Sequence, residues 1–293
     1  MLSRLRTYAS FVRFSHSVFA LPFALAGALL VFASKRPWTV TEAAWRIGWM
    51  IVAMVAARSA AMGFNRLVDA RFDALNPRTA GRELPRGVMT RREAIAFVVA
   101  ASAVFVFATS RLPRICFALS PVALLIVFWY SLAKRYTTWT QIFLGLSLAV
   151  APVGGWLAAG GSFVHWQPWL LAIAVGMWVG GFDILYACQD LDFDRAHGLR
   201  SIPSRFGVRA SLAISRAMHV VAVAALAAVG VVPTVTPLGP LYFGGVVFVA
   251  AMLVYEQSLV SADDLSQVKR AFDLNGYVGI LYLAILATAL YVR

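Results

Sequence analysis

Residues 43–73 read AAWRIGWMIVAMVAARSAAMGFNRLVDARFD. As far as Gly63 this stretch is apolar apart from Arg46 and Arg58. As a helix rising about 1.5 Å per residue, that run matches a hydrocarbon core of about 30 Å. Beyond it the pattern changes: Asn65, Asp69 and Asp73 follow at four-residue spacing, which puts them on one helical face. The stretch therefore predicts a membrane-spanning helix that carries carboxylates out on one side of the bilayer.

Apolar runs of this kind recur along the chain. We read about nine spans, at roughly 17–34, 43–63, 94–110, 115–132, 140–160, 167–187, 209–230, 239–256 and 275–292. The composition agrees: of 293 residues, 61% are hydrophobic and 13% charged. A soluble domain carries about 25% charged residues. Such apolarity excludes a disordered chain, and two cysteines exclude a disulfide scaffold or a cysteine-rich zinc module. The expected fold class is all-α: a polytopic membrane protein, residues 1–293 forming one integral-membrane domain.

The net charge of +13 would suggest nucleic acid in a soluble protein. Here it follows topology. With the N-terminus cytoplasmic, Arg66, Arg71, Arg78, Arg82, Arg86, Arg91 and Arg92 fill one inside loop, and Arg195, Arg200, Arg205, Arg209 and Arg216 another. Outside remain Lys35, Arg36, Arg111, Arg114 and Arg293. This bias predicts an N-terminus and a polar mouth on the cytoplasmic side and a C-terminus outside. Almost all the acids fall on that same side or its border, which the positive-inside rule does not require.

A second acidic cluster ends the sixth span: Asp183, Tyr186, Asp190 and Asp194, spaced i, i+3, i+7, i+11, again one helical face, with Asp192 pointing elsewhere. Carboxylates four apart repel one another, so a cation is expected between them. Mg²⁺ suits Asp69 and Asp73, with Asn65 as a neutral oxygen donor, because it binds one or two carboxylates and shares its remaining positions with phosphate and water. Nearby Arg and Lys favour a multiply anionic ligand. Its candidate is a diphosphate carried by a lipid, whose C–O bond an enzyme would cleave.

Other classes compete with that reading. An isolated D-x-x-x-D can be a solvated helix face. Intramembrane acids also mark cation-coupled transporters, but those sites lie near the midplane at broken helices. CDP-alcohol phosphotransferases carry their acids in one contiguous pattern, which is missing here.

The motifs resemble the UbiA superfamily of intramembrane prenyltransferases over nearly the whole chain. Asn65, Asp69 and Asp73 match its first motif, N-x-x-x-D-x-x-x-D, and Asp183, Tyr186, Asp190 and Asp194 match its second. The stretch from Asn76 to Gly87 is similar to the R-T-x-x-R-P-L-P-x-G loop, with Glu83 where proline is more usual. Tyr130-Ser-Leu-Ala-Lys134-Arg135-Tyr136-Thr137 resembles a segment of 4-hydroxybenzoate polyprenyltransferases. The pieces around Pro22 and Tyr186 equally resemble relatives that use 1,4-dihydroxy-6-naphthoate in menaquinone synthesis through futalosine.

The resemblance implies a helical bundle around a central cavity and transfer of a polyprenyl group from polyprenyl diphosphate to an aromatic acid. Mg²⁺ would be held by Asp69, Asp73, Asp190 and Asp194 with Asn65. Arg66, Lys134, Arg135 and Tyr130 would serve the substrate. Asp183, with Tyr186 beside it, would be catalytic, and Asp183 or Asp192 would take the ring proton. No obligatory protein partner and no nucleic acid are implied, and the membrane is the bacterial cytoplasmic membrane.

Arg58 stands two turns before Asn65 on the same face. A lone arginine at that depth needs a partner, either the acceptor carboxylate or a bundle acid such as Asp183. Loops at about 64–93 and 188–208 are expected to fold as short helices over the mouth and act as a lid. His16 and His219 read as bundle histidines, the two cysteines as packing residues, the tryptophans as mostly interfacial, and the Gly154-Gly155, Gly160-Gly161 and Gly180-Gly181 pairs as close helix contacts.

Overall fold

The computed structural model describes residues 11, 20–33, 38–232 and 238–291, and among them every regular element is a helix. In chain order these are α1 (Leu21–Phe32), α2 (Val40–Leu75), α3 (Arg91–Ser110), α4 (Arg114–Tyr136), α5 (Thr140–Ala158), α6 (Gln167–Ala187), α7 (Leu191–Ala196), α8 (Ile202–Val231), α9 (Pro240–Ser258) and α10 (Val268–Tyr291). Eight stretches are long and apolar enough to cross a membrane, α6 and α7 counting as one. The expected first span appears as α1, with 12 residues in the described range. Its expected flanks at 17–19 and 34, together with His16, lie outside the described residues.

Helix starts follow local chemistry. Thr39 and Glu42 close a capping box on α2, and Thr90 and Glu93 close another on α3. Ser201 and Ser204 do the same for α8. Gly207, with a φ of 78°, interrupts α8 after its first turn, a left-handed geometry that glycine adopts without a Cβ clash.

The helices form two groups. In one, α2 packs on α3 and α4; in the other, α6 packs extensively on α5 and α8, and α1, α9 and α10 complete the layer. Helix α5 joins the groups through α4 and approaches α1 and α6 backbone to backbone. A Cβ on Gly155 would lie 1.8 Å from the Ala24 carbonyl oxygen, and one on Gly145 would lie 2.2 Å from that of Gly176. Of the glycine pairs read as close contacts, Gly155, Gly180 and Gly181 abut neighbouring helices, whereas Gly154 has nothing within 4 Å.

The outer faces remain apolar: Leu125 is 69% exposed, Val254 70% and Val220 68%. Such a surface requires lipid around it. Inside the second group lies a buried polar network. The Trp178 indole donates to Asn275 Oδ1 at 2.6 Å, and Asn275 Nδ2 donates to Glu256 Oε1 at 2.8 Å. Gln257 Nε2 reaches Ser215 Oγ at 2.7 Å and His219 Nδ1 at 3.1 Å. One expectation changes here: Trp156 and Trp178 are core residues rather than interfacial ones. Glu256, near the end of α9, is 1% exposed.

Candidate active site at the mouth of the bundle

The first motif is positioned by an unusually long helix. Helix α2 continues 12 residues past the expected end of its span, to Leu75, so Asn65, Asp69 and Asp73 ride on rigid helix rather than on a loop. Asn65 Nδ2 donates to Asp69 Oδ2 at 3.3 Å. The helix stops because Pro77 disfavours the α region for the residue before it, and Asn76 is extended, with φ −91° and ψ 119°. The Asn76 Oδ1 then accepts the backbone N–H of Arg78 at 2.9 Å, a turn typical of asparagine. Residues 76–90 form turns, not the short helices expected of the first lid loop.

The second motif does not stay on one continuous helix. Helix α6 ends at Ala187, a 3₁₀ turn covers Cys188–Asp190, and α7 follows. Asp190 sits in the bridge region at φ −99° and ψ 7°, a backbone state frequent at active sites. The tightening re-aims Asp190 and Asp194 relative to Asp183.

The turn after α2 connects the two motifs. Arg78 grips Asp190 with two hydrogen bonds, Nε to Oδ1 at 3.2 Å and Nη2 to Oδ2 at 2.5 Å. Its Nη1 donates to the Tyr186 hydroxyl at 2.9 Å, and Asn76 Nδ2 donates to Asp190 at 3.4 Å. Burial works against the Arg78 charge, but the Asp190 carboxylate and Tyr186 outweigh it and hold the guanidinium above the ordinary arginine value.

The other acids have partners too. Lys134 Nζ lies 2.6 Å from Asp69 Oδ2, and Arg135 Nη2 lies 3.6 Å from Asp69 Oδ1. Arg135 also donates to the Val68 carbonyl. Arg82 Nη1 lies 2.7 Å from Asp73 Oδ1. Asp194 accepts the Ser201 hydroxyl at 2.8 Å. The segment 197–201 is tied to the end of α4: Arg200 donates its backbone N–H to the Lys134 carbonyl at 2.8 Å and its side chain to the Tyr136 carbonyl at 2.7 Å.

The remaining candidates separate. Arg58 and Tyr130 are half-buried and interact electrostatically. The Arg58 Nε is enclosed without a hydrogen-bond partner, and Arg58 forms no ion pair with Asp183 or any other described acid. Asp183 is half-buried and feels Asp190 and Arg78, whereas Asp192 is exposed. Arg66 is buried, and its Nε donates to the Phe11 carbonyl at 3.5 Å.

These residues fit a hard divalent ion. The donors are oxygens, and Asp69 Oδ1 and Asp73 Oδ2 are buried without a hydrogen-bond partner. Among the described residues no group of three or more metal-ligating side chains is already drawn together.

The profile of the UbiA prenyltransferase family matches residues 20–286. This chain belongs to that family. Two similar proteins are 4-hydroxybenzoate octaprenyltransferases. The one from Citrobacter koseri is 30% identical, the match covering 83% of this chain and 84% of the relative. The one from Vibrio parahaemolyticus is 32% identical, over 79% and 80%. A UbiA homolog from Aeropyrum pernix, solved in its apo form, superposes with a TM-score of 0.80 at 37% identity, covering 92% of this chain and 96% of that one. A UbiA homolog from Archaeoglobus fulgidus, bound to DMAPP and Mg2+, shares the fold with a TM-score of 0.69 at 17% identity, over 96% and 99%.

Within this UbiA-family chain the structure adds site residues that sequence reasoning did not single out: Arg78, Arg82, Asn76 and Ser201. For Arg78, Arg82 and Asn76 the signal was the arginine-rich turn after the first motif; Ser201 had none. The ion pair from Arg78 to Asp190 spans 112 residues, and nothing in local spacing announces it.

Proposed function

We propose that this UbiA-family enzyme transfers a polyprenyl group from polyprenyl diphosphate to 4-hydroxybenzoate, in ubiquinone biosynthesis. The observation that carries this reading is the meeting of both aspartate motifs, with four cations, at one mouth of an apolar bundle. The 4-hydroxybenzoate octaprenyltransferases that match most of the chain at 30–32% identity support the acceptor.

Asp69, Asp73, Asp190 and Asp194, with Asn65, are the residues that would hold Mg²⁺, and the ion when bound would supply positive charge to the departing diphosphate. Lys134, Arg135, Arg78 and Arg82 bind the diphosphate oxygens by charge-assisted hydrogen bonds. The C–O bond to the prenyl carbon breaks and its electron pair leaves with the diphosphate. The ring carbon ortho to the phenol hydroxyl forms the new C–C bond, and Asp183 takes the proton that this carbon loses. Arg58, with its unpaired Nε beside Tyr130, holds the acceptor carboxylate. The apolar walls exclude water, which would otherwise convert the allylic cation to an alcohol. The protein lies in the bacterial cytoplasmic membrane with its mouth and N-terminus cytoplasmic.

The test offers purified protein one polyprenyl diphosphate and several aromatic acids, with and without Mg²⁺, and identifies products by mass. Prenylated 4-hydroxybenzoate is expected; a product from 1,4-dihydroxy-6-naphthoate alone would move the enzyme to menaquinone synthesis. Arg58→Ala should raise the acceptor KM more than the donor KM. A larger rise for the donor would remove Arg58 from the acceptor site.

A further inference from the structure

We infer that Arg78 and Arg82 make metal binding conditional on diphosphate binding. They occupy carboxylates that would hold the ion, and an incoming diphosphate draws them off. This rests on the diphosphate–metal reading above and adds a coupling to it.

Three observations lead here. First, every acid of the proposed metal set already has a strong partner: Asp69 has Lys134 at 2.6 Å, Asp73 has Arg82 at 2.7 Å, Asp190 has Arg78 at 2.5 Å, and Asp194 has the Ser201 hydroxyl at 2.8 Å. Second, the local charges nearly cancel. Asp69, Asp73, Asp190 and Asp194 face Lys134, Arg135, Arg78 and Arg82. A divalent ion arriving alone reaches Asp190 only by breaking the grip of Arg78, and leaves that guanidinium with no anion to turn to. A diphosphate arriving alone meets carboxylates. Arriving together, the metal takes the carboxylates and the phosphate oxygens take the arginines, so each ligand strengthens the binding of the other. Third, Arg78 stands at the open side of the site. Arg78 lies in the turn between the motifs, with its side chain 36% exposed against 20% for Asp190. It can swing toward the mouth without opening the core.

Arg78 holds most of this coupling, because it alone joins the first-motif turn to both Asp190 and Tyr186. Its forked grip on Asp190 uses both carboxylate oxygens, leaving neither in reserve. Asp69 and Asp73 each keep an oxygen without a hydrogen bond.

The experiment measures Mn²⁺ binding to the full-length protein in detergent by electron paramagnetic resonance, with and without geranyl diphosphate. The wild type should bind Mn²⁺ alone weakly, and at least about fivefold more tightly with geranyl diphosphate, the lower end of usual coupling strengths. Arg78→Gln should bind Mn²⁺ alone about fivefold more tightly than wild type, yet bind geranyl diphosphate more weakly in the presence of Mn²⁺. Arg82→Gln should shift Mn²⁺ binding in the same direction and provides a second variant should the first fail to fold.

The opposite signs are the point. An arginine that only contacts phosphate would weaken diphosphate binding and leave Mn²⁺ binding alone unchanged. Unchanged or weaker Mn²⁺ binding in folded Arg78→Gln and Arg82→Gln, with wild-type Mn²⁺ binding still promoted by geranyl diphosphate, overturns the coupling and spares the metal–diphosphate reading. A wild type that binds no Mn²⁺ even with geranyl diphosphate overturns both.

Discussion

The protein holds two polar clusters inside an apolar bundle, and they are built differently. At the mouth, carboxylates are paired with cations, Lys134 from helix α4 and Arg78 and Arg82 from the turn after α2, and Asp69 and Asp73 keep buried oxygens without hydrogen bonds. Between α6, α8, α9 and α10, Glu256 is buried with a neutral partner, Asn275, whose amide bridges it to Trp178. The first cluster is charged, and each acid of its proposed metal set but Asp194 is matched to a cation; the second is uncharged apart from Glu256 and keeps one amide oxygen, that of Gln257, without a partner. The second has no ion pair among the described residues and joins helices throughout. In a low-dielectric bundle the second cluster satisfies its acid with neutral amide and indole groups, whereas the mouth sets acids against cations, an arrangement that a cation and an anion could exchange.

The sharpest way to break this contrast is to disable the mouth. Asp69→Asn and Asp190→Asn should each lower turnover by about 10²–10³-fold or more, the scale of losing a group that stabilises developing charge. Chelation of divalent metal should do the same reversibly. Thermal unfolding in detergent should stay unchanged, since Lys134 and Arg78 can turn to water. Retained turnover in either variant would remove the carboxylates from the metal site.

Asn275→Leu addresses the other cluster. It strands Glu256 and the Trp178 indole, and should destabilise the fold by about 1–2 kcal/mol, measured by thermal denaturation, with donor and acceptor KM unaltered. Lys134→Gln should raise the donor KM about tenfold, one lost charge-assisted contact, with little change in stability. Glu256→Gln should have the smallest effect, within about 1 kcal/mol in stability and without effect on turnover, because the amide oxygen still accepts from Asn275. A loss of turnover in Glu256→Gln would mean that the buried acid serves chemistry, and the contrast would collapse.

Much of the fold was legible because lipid imposes simple rules. Apolar runs of bilayer length reveal themselves as spans. The acidic motifs were equally visible, since charges are scarce in this chain. Less legible was the extent of α2, because the helix continues through polar residues where the hydropathy signal fades. The 3₁₀ turn at Cys188–Asp190 was hidden for the same reason. The partner of Glu256 was equally hidden, because Asn275 lies 19 residues further along on another helix.

The sequence by itself determined that the chain is helical, crosses a membrane, and gathers its acids at one side, because each of these is a property of a run or of a helical period. The tertiary structure alone decided which cation meets which acid. Arg78 reaches Asp190 and Lys134 reaches Asp69 over separations of 112 and 65 residues. Such pairings depend on how helices pack and where a turn points its side chains, and the Coulomb energy that fixes them depends on a distance that no spacing along the chain records.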